Sequence, residues 1–244
     1  MDIELYYGKS GKNDYNTIID MFPKNSINSV RTSSLPLLAF WKETNSRLKE
    51  LLNSLQIENK EKFSLCFEYP TSSGGNGKAS MTDLMIFSNS KKLAIEAKFT
   101  EIGEQYELIR NWIVKGNKEN RKEVLTKWID IVKPFSQTEL NIERMESIPY
   151  QFLHRTASAC DKFTYAFVIY QIFFDSETEK FLQRFKEKLK QAKEIINPNQ
   201  KLKFYVWPIE VKQIIEESEK ENAFEKMKTE NIYEFIKVNN PEQI

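Results

Sequence analysis

Three residues between positions 81 and 99 have the types and spacing for phosphate chemistry: Asp83, Glu96 and Lys98. The run Leu93–Phe99 (LAIEAKF) reads as a strand, and side chains on a strand alternate between faces. Leu93, Ile95, Ala97 and Phe99 then point one way, and Glu96 and Lys98 the other. A carboxylate and an ammonium on so apolar a strand cost solvation energy unless they pair or hold an ion. Asp83 stands near the start of a second strand-like run, Met81–Phe87 (MTDLMIF), with the polar turn Ser88–Lys92 between the two. A hairpin of these runs can set Asp83 opposite Glu96, so that two carboxylates and a lysine converge.

That convergence suits phosphodiester hydrolysis. Mg2+, for which Mn2+ can substitute, takes oxygen ligands and is commonly held by one or two carboxylates plus water and substrate phosphate. A metal so held polarises the phosphate and lowers the pKa of an attacking water. A neighbouring lysine can orient that water and stabilise the charge that develops. The competing account is a surface hairpin with an ordinary Glu–Lys pair.

Asp83, twelve intervening residues, then Glu96-Ala97-Lys98 resembles the signature of the PD-(D/E)XK nuclease superfamily, the restriction-endonuclease-like fold. The core motif covers Thr82–Lys98, and the order of elements extends the likeness from about Leu35 to Ile209. The resemblance implies that Asp83 and Glu96 bind the metal and that Lys98 is catalytic. Thr82 replaces the proline of the motif name, at a position that varies in the superfamily. Many members add a Glu on the helix before the strands, for which Glu43 and Glu50 are both available. Glu68, at the end of the first strand, is a further candidate. Members often place a Gln or a basic residue on the helix after the motif strand, where Gln151 and Arg155 stand one turn apart.

The elements that must position these residues follow from periodicity. Residues 1–30 read as irregular and polar, with Tyr6, Tyr7 and Phe22 as anchors. Ser33-Ser34-Leu35-Pro36 opens a helix, with Ser at the cap and Pro just inside, whose apolar positions run from Leu37 through Trp41 to Leu55. Phe63–Tyr69, Met81–Phe87 and Leu93–Phe99 form a three-stranded meander, with a turn-rich loop at Thr71–Gly77. A helical insertion spans about 101–148, and residues 149–161 make another helix. Phe163–Phe174 is apolar almost throughout, as in a strand covered on both faces. A charged helix over Glu177–Ile196 and a strand at Leu202–Ile209 imply a parallel crossover. The expected fold is α/β: a restriction-endonuclease-like mixed sheet flanked by helices over residues 1–210, followed by a charged helical tail over 211–244.

Composition narrows the function. Lys+Arg 36 against Asp+Glu 35 gives a formal charge of +1, so DNA binding would need a local basic face. Lys78, Lys118, Arg121 and Lys122 are the candidates for it, although Glu119 and Glu123 interrupt the last three. Cys66, Cys160 and the single His154 make neither a disulfide framework nor a Cys/His zinc site, and the two thiols read as buried. No Ser-His triad motif surrounds His154. Near Gly74–Lys78 a phosphate-loop pattern fails, because Ser72 and Ala79 occupy two of its required positions. The start has no apolar leader core and no stretch of 18 apolar residues occurs, so a cytoplasmic enzyme is expected. The expectation is a Mg2+-dependent endonuclease of double-stranded DNA, of restriction or defence type, with a homodimer as the assembly that two-strand cutting calls for. The alternative is an inactive nuclease-like fold that binds nucleic acid or protein.

Overall fold

A computed structural model describes residues 1–24, 29–58, 60–71 and 80–244. The strands are β1 (Asp2–Tyr7), β2 (Lys62–Thr71), β3 (Ser80–Phe87), β4 (Lys91–Lys98), β5 (Tyr165–Phe174), β6 (Leu202–Gln213), β7 (Tyr233–Val238) and β8 (Glu242–Gln243). The helices are α1 (Tyr15–Met21), α2 (Ser34–Trp41), α3 (Thr44–Ser54), α4 (Ile109–Val114), α5 (Lys118–Val132), α6 (Ile142–Met145), α7 (Tyr150–Cys160), α8 (Leu182–Ile196) and α9 (Ala223–Thr229).

Among the described residues the strands form one mixed sheet of eight, in the order β1-β2-β3-β4-β5-β6-β7, with β8 also on β6. β1 runs parallel to β2, and β4, β5 and β6 are mutually parallel. The β2-β3-β4 meander and the β6-β7 pair are antiparallel. This is a three-layer α/β architecture. One face of the sheet packs against α1, α2, α3 and α9 through Leu38, Trp41, Leu48, Leu52 and Phe224. The other packs against the helices of residues 109–160 and α8 through Ile113, Leu125, Trp128, Phe152 and Leu189. β4 and β5 lie between these layers, which is why β5 is apolar almost without alternation and why the charged groups of β4 that face α7 are buried. Among the described residues no helix is long and apolar enough to cross a membrane.

Three expectations need correction. Residues 2–7 are an edge strand and residues 15–21 a helix capped by Asp14, which accepts the Thr17 amide at 2.9 Å, so the N-terminus is ordered structure. The long helix predicted after Ser34 is two, broken at Lys42 and Glu43, where Glu43 takes φ −90° and ψ 52°. The segment 211–244 is not a helical tail: β6 runs on to Gln213, and after α9 the chain returns as β7 and β8, both hydrogen-bonded to β6. Tyr233 and Phe235 alternate with Glu234 and pack on the core, so the period of two outweighs the charged composition.

Candidate functional site

The meander brings the motif residues together. The β3-β4 ladder pairs Leu84 with Ile95 and Met85 with Ala94, a register that sets Asp83 opposite Glu96. Asp83 Oδ2 accepts the Ala97 backbone N–H at 2.7 Å, so its carboxylate takes the place of a backbone acceptor and is fixed beside Glu96. As alternation requires, Leu93, Ile95, Ala97 and Phe99 join the core under α2 and α3. Ala94, on the same face as Glu96 and Lys98, joins the core under α7.

Glu96 is 4 % exposed and has two cationic partners. Its Oε1 accepts Lys98 Nζ at 2.7 Å, and its Oε2 is ion-paired with Arg155 Nε, reaching down from α7. Arg155 Nη1 extends to Thr82 Oγ1 at 3.4 Å. A buried carboxylate is tolerated when it is paired and hydrogen-bonded in this way. Burial would raise the Glu96 pKa, but Arg155 and Lys98 outweigh it and hold the group at about 2. For Asp83, burial and the adjacent Glu96 charge prevail over Arg155 and Lys98 and push it up to about 8. Burial alone would lower Lys98, yet Glu96 and Asp83 raise it, so it is a persistent cation. Two carboxylates in one site are thus driven apart in acidity by their partners.

Glu68 extends the row. β2 pairs Phe67 with Leu84 and Tyr69 with Thr82, so Glu68 falls opposite Asp83, and Glu68-Asp83-Glu96 crosses three strands. Its φ of +49° lies in the left-handed region inside a strand. That conformation costs a non-glycine residue roughly 1–2 kcal/mol, and such strain collects at functional sites. Burial is the main reason its carboxyl is pushed up to about 6, against the pull of Arg155 and with a push from Glu96.

The remaining candidates divide. Gln151 lies one turn before Arg155 on α7 and is partly exposed, but it is Arg155 that makes the ion pair. Glu43 is exposed at the start of α3, in the layer on the opposite face of the sheet, where its carboxylate meets Ser46 Oγ at 3.4 Å. Glu50 is in the same layer, paired with Arg47 at 3.0 Å. Neither glutamate approaches Asp83, because the apolar stripe of α2 and α3 docks on the face that Glu96 does not use. On α5, Lys118 is exposed, Lys122 stands 3.8 Å from Glu119, and Arg121 lies over the Trp112 ring at 4.7 Å. This helix packs on α7, so its basic residues sit on the site's side of the sheet, one helix further out. Lys78 and most of the turn-rich stretch around it lie outside the described residues. His154 is buried against the Trp128 ring at 4.7 Å, and burial with the Arg155 charge lowers it to about 3, so its imidazole is neutral.

One residue escaped the sequence reading. Tyr170, paired with Glu96 in the β4-β5 register, is buried, and its hydroxyl has no hydrogen-bond partner among the described residues. The signal was a hydroxyl in the apolar run FVIYQIFF, which periodicity alone assigns to the core.

The donor chemistry fits a hard divalent cation: Asp83 and Glu96 supply carboxylate oxygens, and Glu68 stands next in the row. Among the described residues no three Asp, Glu, His or Cys side chains form a ready-made metal cage. Mg2+ seldom has one, since water and substrate oxygens usually complete its shell.

No curated protein and no solved structure matches the chain. Residues 12–231 match the model of a family described as a domain of unknown function, DUF6946, and the chain belongs to that family.

Proposed function

We propose that this protein is a Mg2+-dependent endonuclease that hydrolyses DNA phosphodiester bonds on a restriction-endonuclease-like fold, in a restriction or defence role. The observation that carries the reading is the shared placement of Asp83, Glu96 and Lys98 on adjacent strands of the meander, with Lys98 Nζ 2.7 Å from Glu96. Asp83 and Glu96 would hold the ion, and Mn2+ can take its place. The chemistry such an ion supplies when bound is polarisation of the phosphate and acidification of a water.

The chain's own groups have separable tasks. Lys98 is held protonated by two carboxylates, so it serves as a fixed positive charge for the developing phosphorane and to orient water, not as a base. Arg155, reaching the site from α7, is placed to contact a phosphate through its planar fork. The apolar walls of Phe152, Tyr170 and Ala94 keep the local dielectric low, which strengthens each of these interactions. Lys118 and Lys122 on α5 offer duplex phosphates a grip beyond the site.

Purified protein with plasmid and Mg2+ is expected to nick the DNA. D83A and K98A should abolish nicking while the fold persists by circular dichroism. Wild-type inactivity on DNA and RNA with both Mg2+ and Mn2+ contradicts the reading. A non-catalytic binding module is the second reading, favoured by the internal pairing of both Glu96 oxygens. Under that reading calorimetry finds no carboxylate-dependent binding of either ion.

A further inference from the structure

Glu96 is fully engaged inside the protein. Lys98 holds Oε1 from two residues along the same strand, and Arg155 holds Oε2 from the helical layer above. The two cations differ in how far they can withdraw. Lys98 rises from the same strand as Glu96, whereas Arg155 reaches Glu96 from α7, in a separate layer, so it can part from Glu96 by rotation about its own side-chain bonds without disturbing the strands. Its further contacts are weak in geometry: Thr82 Oγ1 at 3.4 Å and His154 Nδ1 at 3.3 Å. A divalent ion bridging Asp83 and Glu96 would compete for the carboxylate that Arg155 occupies, and the two positive groups would repel at contact distance.

We propose that Arg155 is a resident cation: it occupies Glu96 while no metal is bound, yields that oxygen to an incoming divalent ion, and moves to a phosphate of the bound nucleic acid. This rests on the metal-dependent nuclease reading above. A guanidinium forms bidentate pairs with carboxylate and phosphate alike, so the transfer exchanges one good acceptor for another. Metal and nucleic acid then assist each other, because the phosphate supplies the acceptor that releases Arg155 from Glu96. By linkage the assistance is reciprocal.

Mn2+ binding is measured by electron paramagnetic resonance on metal-free wild type and R155Q, with and without a phosphorothioate duplex that resists cleavage. R155Q alone is expected to bind Mn2+ about tenfold more tightly than wild type, equivalent to about 1.4 kcal/mol. The duplex should raise the wild-type affinity by about tenfold or more and that of R155Q much less. Wild-type binding matched by R155Q, or stronger than it, overturns the resident-cation proposal and leaves the metal site standing. Absence of Mn2+ binding in every sample, duplex included, overturns the nuclease reading and this proposal together. A measurement read on wild type, with R155K used only to identify the signal, avoids dependence on the folding of R155Q. The Arg155 Nε–H resonance, identified by its loss in R155K, should exchange slowly without metal and shift or exchange freely at saturating Mg2+. An unchanged resonance at saturation overturns the proposal.

Discussion

Replacing Asp83 by the isosteric amide is expected to stabilise the metal-free protein at alkaline pH, and the effect should fade in acid. The Asp83 carboxyl lies at about 8 in the fold against an ordinary 3.8. Because the folded value is raised, the contribution is whole below about pH 3.8 and drains away as pH rises towards 8. At about 1.4 kcal/mol per unit, a gap of about four units (8 − 3.8) sets a ceiling near 6 kcal/mol. Relaxation around a half-buried side chain reduces that, and about 2–4 kcal/mol is the expected gain for D83N at pH 8. At pH 4.5 the gain should be about 1 kcal/mol or less, since wild type is then mostly protonated at this position. Glu68, pushed up to about 6, drains over part of the same window in both proteins and largely cancels. Urea unfolding in EDTA at pH 4.5, 6 and 8, with matched slopes, measures the difference. Mg2+ added at pH 8 should narrow the gap by stabilising wild type alone. A D83N protein less stable than wild type at pH 8, or an offset independent of pH, refutes the reasoning.

Two further substitutions probe the surroundings. E68G relieves the left-handed backbone at φ +49° and should raise stability by up to about 1 kcal/mol in thermal unfolding with EDTA, despite losing a side chain; a loss above about 1 kcal/mol would show no strain there. Lys92 is buried with its Nζ within 5.6 Å of the Tyr69, Phe87 and Phe163 ring centroids, and burial lowers it to about 8. A depressed lysine destabilises the fold while charged, and the penalty disappears as pH rises past its unfolded value of 10.5. K92M should therefore gain about 1–3 kcal/mol at pH 7, part of the burial penalty being already offset by the Asp161 charge and by the Nζ hydrogen bond to the Asp161 carbonyl at 3.3 Å, which the variant loses, and clearly less at pH 9.5. A gain that does not change with pH would place the effect in packing.

How much of this was legible depends on the range of the interaction that decides each element. β4 could be read because its two faces carry different chemistry within eight residues, and the turn at 88–92 fixed its neighbour. β1 could not: DIELYY is short, and its partner β2 lies more than fifty residues downstream, beyond any local pattern. β7 was hidden by lysines and glutamates that suit a solvated helix, although YEFIKV alternates where it packs. In the candidate site, the convergence of Asp83, Glu96 and Lys98 was readable from spacing and strand alternation, and Arg155 entered with Gln151 only through the family resemblance. Choosing Arg155 over Gln151 needed the way α7 packs on β4 and β5, which turns Arg155 towards Glu96. Excluding Glu43 needed the knowledge that α2 and α3 dock on the far face of the sheet. Tyr170 looked like core because only the parallel register of β5 with β4 sets it beside Glu96.

The most direct measurement is an anomalous difference map from a crystal of this protein soaked in Mn2+. The expected result is a peak bridging Asp83 and Glu96 at about 2.0–2.3 Å from carboxylate oxygens, with Arg155 turned away. A map with no peak there, Arg155 still on Glu96 and Mn2+ bound elsewhere or nowhere, contradicts the assignment of a metal-dependent nuclease site.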